Sequence, residues 1–165
     1  MIKHQYPSLF SPQSQEAQLA NNLAQRTFEL IDFIADKLPY QQQPLRAQAK
    51  IVLHESCSAL REMNVAQNWR RVLKKLDHVE VSYPKNNQEC CGFGGTFSVK
   101  SDAISAVMTQ DKCHNLLNTQ SDQIVSGDCG CLMNIGEHLK YDNKPDTCTH
   151  LASFLVEYFR QRHAP

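Results

Sequence analysis

Three short apolar segments, each followed closely by cysteine and separated by helical patterns, constrain the fold of this chain most strongly. The segments are Lys50–His54, Val79–Tyr83 and Gln123–Ser126. Their length and their content of Val and Ile predict β-strands, and strands that alternate with helices predict a parallel sheet. We therefore expect an α/β fold, with a small parallel sheet of three to four strands flanked by helices and an N-terminal helix.

Helical periodicity covers much of the remaining chain. Apolar residues recur near the 3.6-residue period over residues 13–38, 58–76, 101–118, 132–139 and 149–162. Pro39 is expected to end the first of these helices, since proline cannot continue a helix. We predict an N-terminal helical segment over residues 1–44 and a cysteine-rich α/β domain over residues 45–165.

Composition narrows the functional classes. Lys plus Arg and Asp plus Glu both number 17, so the chain has no basic surplus that would indicate nucleic acid binding. The N-terminus lacks the apolar region of a signal peptide, and no stretch approaches 18 apolar residues. We expect a cytoplasmic protein without membrane insertion. Seven cysteines in such a compartment indicate metal binding or redox chemistry, and an odd number does not suit a closed disulfide framework.

Five cysteines are predicted to converge at one edge of the sheet. They follow the first strand (Cys57), the second (Cys90 and Cys91) and the third (Cys129 and Cys131). The carboxyl ends of parallel strands share an edge, and ligands of open α/β sheets bind there. Helices that begin near these positions favour thiolates and other negative groups. We therefore interpret these five residues as candidate metal ligands.

The adjacent pair Cys90–Cys91 bears on the identity of the metal. Neighbouring side chains diverge, which suits different irons of one iron–sulfur cluster better than one tetrahedral ion. Gly92, Gly94 and Gly95 follow directly and are expected to let backbone amides approach the sulfur atoms. Zinc is the alternative, although the chain has no C-x2-C pair. A metal-free or disulfide-linked fold is a third possibility.

Two further residues have individual interpretations. His54 lies at a strand end near Cys57, where it is a candidate catalytic residue that orients a substrate, moves a proton or hydrogen-bonds a sulfur. A satisfied, partly buried histidine explains its position equally well. Cys113 is interpreted as a buried core residue.

The cysteine motifs resemble those of the CCG cysteine-rich domain family. The resemblance rests on His54–Cys57 (HESC), Cys90–Lys100 (CCGFGGTFSVK) and Cys131–Gly136 (CLMNIG). It extends over nearly the whole chain and is strongest to the second CCG domain of the lactate-utilisation iron–sulfur oxidoreductase subunit. The cysteine-rich subunit of heterodisulfide reductase and the glycolate oxidase iron–sulfur subunit are related members.

The resemblance implies an iron–sulfur redox subunit that passes electrons from L-lactate oxidation through a cysteine-ligated cluster of [4Fe–4S] type. It also implies partner iron–sulfur subunits and a further, N-terminal CCG half. Some relatives carry a terminal C-x-x-C, but this chain has Asp128 at the first of those positions and Cys129 one residue later. Ligation by Cys129 therefore stays open, as do a heterodisulfide- or glycolate-type redox subunit and a zinc-stabilised structural or interaction module.

Overall fold

A computed structural model describes residues 1–37 and 48–163 of the chain. The chain divides into two compact units, Met1–Pro39 and Tyr40–Pro165. The first unit contains a 3-10 turn at Tyr6–Leu9, helix α1 at Gln15–Gln25 and helix α2 at Leu30–Lys37. Helix α1 begins after Ser14, whose hydroxyl oxygen accepts a hydrogen bond from the Ala17 amide at 3.1 Å. A serine at this position satisfies one of the free amides of the first turn.

The single helix predicted over residues 13–38 is interrupted between α1 and α2. The Arg26 amide donates to the Leu23 carbonyl at 3.1 Å, and the Thr27 hydroxyl donates to the same carbonyl at 2.8 Å. These bonds satisfy a terminal carbonyl of α1 locally, so the helix ends although the apolar periodicity continues. The predicted stop at Pro39 lies outside the described residues.

The second unit is built on a four-stranded parallel sheet. Its strands are β1 (Ala49–Leu53), β2 (Val79–Ser82), β3 (Gln123–Ser126) and β4 (Cys148–His150), in the order β2-β1-β3-β4. The last three residues of β1 are completely buried, as expected for a central strand of a parallel sheet. The predicted fold class, a small parallel sheet flanked by helices, is confirmed.

Helices connect the strands and cover the sheet. A π-helical turn spans Ser58–Glu62, and the helices are α3 (Ala66–Leu73), α4 (Thr96–Lys100), α5 (Asp102–Leu117), α6 (Cys129–Tyr141) and α7 (Leu151–His163). Helices α5 and α6 pack together, and their apolar residues form one core with Val52 of β1 and Ile124 of β3. Helix α7 contacts β3 and β4. No helix within the described ranges is both long and apolar enough to cross a membrane.

Three other predicted helices differ from the structure, one by an interruption and two at their starts. The helix expected over 58–76 is divided by Met63–Val65, where Asn64 adopts a left-handed φ of 54°. The helix expected from residue 132 begins at Cys129, so two candidate ligands lie within its first turn. The start of the helix expected from residue 149 is strand β4, which pairs with β3 at Ile124 and Cys148. Pairing to a neighbouring strand decides this last assignment, and local periodicity does not reveal it.

Candidate metal centre

Three of the predicted residues meet at the carboxyl edge of the sheet. One donor atom each from His54, Cys91 and Cys131 lies within 4.8 Å of the other two, and the two sulfur atoms are 2.9 Å apart. His54 directly follows β1, Cys91 comes from the loop after β2, and Cys131 belongs to the helix that follows β3. The parallel sheet therefore assembles the group from segments that are distant in sequence.

The His54 side chain is buried without a conventional hydrogen bond. Its backbone amide donates to the Val125 carbonyl at 2.8 Å, which extends the β1–β3 ladder by one residue and fixes the backbone. The residue is 1% exposed, and neither ring nitrogen has a hydrogen-bond partner among the described residues. An unsatisfied buried polar group costs free energy. A metal ion bound beside the two sulfurs would satisfy one of these nitrogens.

The thiols of Cys91 and Cys131 form one electrostatic unit. A hydrogen bond from Cys131 lowers the pKa of Cys91 well below its ordinary value, against the effect of burial, and His54 and the Phe93 amide lower it further. The same interaction raises the pKa of Cys131, as burial also does. Two thiolates at this separation repel each other, so the pair holds one proton between them or binds a cation. This donor set therefore fits a metal.

Cys57 and Cys90 lie farther out, beyond the three-donor group. Both are partly buried, and Cys57 is close enough to raise the pKa of both Cys90 and Cys131. Burial raises the pKa of Cys90 most, and its sulfur accepts a hydrogen bond from the Gly92 amide at 3.4 Å, which lowers it. Cys57 and Cys90 therefore lie near the three-donor group without belonging to it.

Cys129 is exposed and lies outside the three-donor group, and the neighbouring Asp128 caps helix α6. One carboxylate oxygen of Asp128 accepts a hydrogen bond from the Cys131 amide at 3.1 Å, and the other accepts one from the Ser58 hydroxyl at 3.1 Å. Burial raises the pKa of Asp128, but these hydrogen bonds outweigh it and hold the pKa below its ordinary value. Asp128 therefore fixes the backbone at the candidate ligand Cys131.

Polar side chains from α5 and α6 hold the backbone at Cys91 and Gly92. The Cys91 carbonyl accepts hydrogen bonds from the Thr109 hydroxyl at 3.0 Å and from the Asn134 amide at 2.9 Å. The Gly92 carbonyl accepts one from the Ser105 hydroxyl at 2.8 Å. Sequence reasoning missed these three residues. Ser105 and Thr109 are four residues apart on one helix face, and that polar spacing was the available signal.

The predicted glycines have different roles. Gly92 has a φ of 85°, and a Cβ there would lie 2.7 Å from both the Ser105 carbonyl oxygen and the Thr109 hydroxyl. Glycine is therefore required for the close contact with α5. Gly94 and Gly95 also have positive φ and form the turn into α4, where the Gly94 carbonyl accepts the Phe97 amide.

A buried charge anchors the loop after β2 to the end of β1. The Glu55 side chain is completely buried, and Arg70 on α3 donates to one of its oxygens at 2.7 Å and to the other at 2.5 Å. The Asn87 side-chain amide donates to Glu55 as well. The Arg70 guanidinium lies 5.4 Å from the ring centre of Tyr83. Charge-assisted bidentate bonds of this kind fix geometry, so the loop that leads to Cys90 is held on the sheet.

Donor side chains that follow three strands on one edge of a parallel sheet define this chain as a cysteine-rich α/β protein with a candidate metal site. Residues 51–136 match the family described as "CCG: Cysteine-rich domain", and the chain belongs to this family.

Curated relatives extend the match beyond that region. "Lactate utilization protein A" of Geobacillus sp. (strain WCH70) is 37% identical over 155 residues, which cover 94% of this chain and 65% of the relative. "Lactate utilization protein A 1" of Bacillus anthracis (strain CDC 684 / NRRL 3495) is 33% identical over 157 residues, covering 95% of this chain and 65% of the relative. The chain therefore spans just under two thirds of the length of these relatives.

Proposed function

We propose that this chain is the CCG unit of an iron–sulfur redox subunit in lactate utilisation. The observation that carries the proposal is the convergence of Cys91, Cys131 and the unsatisfied His54 within 4.8 Å, inside the region that matches the CCG family. The names of the relatives support lactate utilisation as the process. Residues 45–165 would form the functional domain, and residues 1–44 would be a separate N-terminal segment.

The proposed ligands are the thiolates of Cys57, Cys90, Cys91 and Cys131, which would hold a cluster of [4Fe–4S] type. Such a cluster, when bound, accepts and returns single electrons. Hydrogen bonds from protein amides to the ligand sulfurs tune the potential of such a centre, and the Gly92 amide is placed for this at Cys90. His54 is proposed to serve as an additional ligand or to donate a hydrogen bond to a ligand sulfur. The exposure of Cys129 favours ligation by the other four cysteines.

Electron transfer from L-lactate to an acceptor would involve further components beside this chain. We propose that it works with other iron–sulfur subunits in the cytoplasm and that an N-terminal CCG half completes the functional protein. The relatives are longer by about a third of their length, which leaves room for such a half.

A second candidate function is a zinc-stabilised structural or interaction module. The favouring observation is the donor set itself, because one imidazole and two or more thiolates at short range also suit zinc. A zinc site would have no visible absorbance and no redox activity, and its removal would unfold the domain.

The deciding experiment is a metal analysis of protein purified without oxygen. Iron, acid-labile sulfide and zinc are measured per chain, together with the visible spectrum and the reversible bleaching of that spectrum by a reductant. We expect iron and sulfide in near-equal amounts and little zinc. The variants C57S and C90S test whether the outer sulfurs are ligands, and we expect both to lose most of the iron.

C148S and C129S are the matched controls for this experiment. Cys148 packs against the apolar core, and Cys129 is exposed, so both variants should keep the iron content and spectrum of the wild type. One zinc per chain without iron would replace the redox proposal with the structural one. Iron loss in C148S equal to that in C90S would contradict the proposed ligand set.

A further inference from the structure

Lys112 on helix α5 is a completely buried lysine next to the candidate metal centre. Its exposed fraction is 0%, and its ammonium donates to the carbonyls of Asn86 at 3.2 Å and Asn87 at 3.4 Å. It lies one helical turn after Thr109, whose hydroxyl donates to the Cys91 carbonyl. One face of α5 therefore holds the loop of residues 86–92 at both of its ends.

Glu55, which follows strand β1 by two residues, also holds this loop. Its buried carboxylate accepts the Asn87 side-chain amide, while Lys112 binds the backbone carbonyl of that residue. Glu55 has Arg70 as its counter-charge. The two buried charges thus contact the same residue, but within the described part of the chain only Glu55 has an ionic partner.

No carboxylate among residues 1–37 and 48–163 lies within ion-pair distance of the Lys112 ammonium. Two neutral carbonyls do not offset the cost of burying a full positive charge. Burial lowers the pKa of Lys112, whereas the negative charges of Glu89 and of the site sulfurs raise it. Glu89 is exposed and screened by water. The sulfurs of Cys90, Cys91 and Cys131, which carry negative charge as metal-bound thiolates, are therefore the remaining counter-charges near this lysine.

We propose that Lys112 is a positioning residue and the buried counter-charge of the metal–thiolate centre, and this inference rests on the proposed function. Through Asn86 and Asn87 it fixes the loop that presents Cys90 and Cys91. Its charge favours the reduced form of the centre, because one electron accepted from an external reductant makes the centre more negative by one unit. A positive charge in a medium of low dielectric constant stabilises that form.

The test compares the midpoint potentials of variants that retain the centre. K112M removes the charge and the hydrogen bonds, whereas K112Q removes the charge but keeps a donor for the loop carbonyls. K85M is the matched control, because Lys85 lies on the same loop and is exposed. Each protein is titrated anaerobically by visible absorbance, with iron content and hydrogen exchange of residues 84–92 measured in parallel.

We expect K112Q to keep its iron. At a fixed potential, its ratio of reduced to oxidised centre should be at least about tenfold lower than in the wild type, which corresponds to a midpoint potential lower by about 59 mV for one electron. K112M should show the same shift and faster exchange in the loop, and K85M should match the wild type. An unchanged potential in iron-loaded K112Q would overturn the counter-charge role. Loss of iron from K112Q with a native fold would also overturn it, leaving a purely structural lysine. Wild-type protein without iron would instead refute the proposed function, so the two failures are distinguishable.

Discussion

Two cysteine pairs within one apolar core differ sharply in their chemistry. Cys91 and Cys131 belong to the same buried cluster as Cys113, and Cys148 packs against that cluster. Cys91 and Cys113 are equally buried, at 2% exposure. Nevertheless, the pKa of Cys91 lies well below its ordinary value, whereas burial raises the pKa of Cys113 and of Cys148 to about 12.

The neighbours of each sulfur explain this difference. The Cys113 sulfur lies 3.8 Å from the Ile135 carbonyl, and Cys148 has the carboxylate of Asp146 nearby. Neither environment stabilises a thiolate. Cys91 instead has a second thiol, an imidazole and a backbone amide. Burial alone thus makes a thiol unreactive, whereas burial beside such groups favours the thiolate, which is the form that binds metals.

The largest expected effect is on metal affinity, which should depend on one cysteine pair and not on the other. C131S should weaken metal binding by more than about 100-fold, because loss of a ligand exceeds the effect of losing an outer-shell partner. C113A should change metal binding by less than about threefold, since Cys113 contacts the core and not the donor group. The measurement is competition with a chromophoric chelator, using the reduced apoprotein and Zn²⁺ as the probe.

This comparison includes a test for indirect effects. Both variants are checked for native far-ultraviolet circular dichroism and for urea midpoint before binding is measured. Equal losses of affinity in C131S and C113A would mean that the core pair contributes to the site, and the distinction between the pairs would then be wrong.

Two histidines at strand ends, His54 and His150, also differ in the partners of their side chains. The ring of His150 accepts the Ala152 amide at 3.2 Å and lies 3.2 Å from the Gly127 carbonyl, whereas the ring of His54 has neither kind of partner among the described residues. In metal-free protein, H54L should therefore raise the free energy of unfolding by about 1 kcal/mol, by removing buried unsatisfied nitrogens. H150A should lower it by about 1–2 kcal/mol, because two hydrogen bonds are lost.

Urea unfolding of the reduced apoprotein measures both values. The same H54L variant should bind Zn²⁺ or iron more weakly than the wild type, so its stability and its affinity should change in opposite directions. If H54L destabilised the apoprotein by more than H150A does, His54 would be an ordinary core residue and its part in the donor group would be refuted.

The strand pattern in the sequence was sufficient to place two of the candidate ligands at one edge of the sheet. Strand β3 matches its predicted range of 123–126, and β1 and β2 each agree to within one residue at either end. Because strand ends determine which residues reach the carboxyl edge, Cys91 and Cys131 could be brought together from the strand pattern alone. The resemblance of the Cys90–Lys100 run then indicated the family.

The features that sequence could not supply depend on contacts between distant elements. The unsatisfied ring of His54 and the burial of Lys112 depend on what α5, β1 and the loop after β2 place around them. The sequence shows Asp128 only as a departure from a cysteine motif, whereas in the structure its carboxylate caps α6 and binds Ser58, 70 residues earlier in the chain. Composition and periodicity contain no signal for such pairings.

Each cysteine pair has one member whose backbone amide binds an aspartate, and the smallest expected effect concerns the aspartate beside the donor group. Asp128 accepts the Cys131 amide, and Asp146 accepts the Cys148 amide at 3.0 Å. D128A should lower the free energy of unfolding at pH 7 by about 1 kcal/mol, as expected for loss of a helix N-cap, and D128N should lower it less because asparagine also caps.

The pH dependence of D128N identifies the contribution of the charge at this cap. The pKa of Asp128 in the folded protein is below its ordinary value of 3.8, so the charged form is favoured by folding. The stabilisation that the Asp128 carboxylate gives the folded protein is present above pH 3.8 and is lost as the pH falls through the folded pKa. The stability difference between wild type and D128N, measured by urea unfolding, should therefore be constant from pH 7 to pH 5 and shrink below pH 4. A difference that grew on acidification would show that the carboxyl group is protonated in the folded state, and the cap would then be a neutral one.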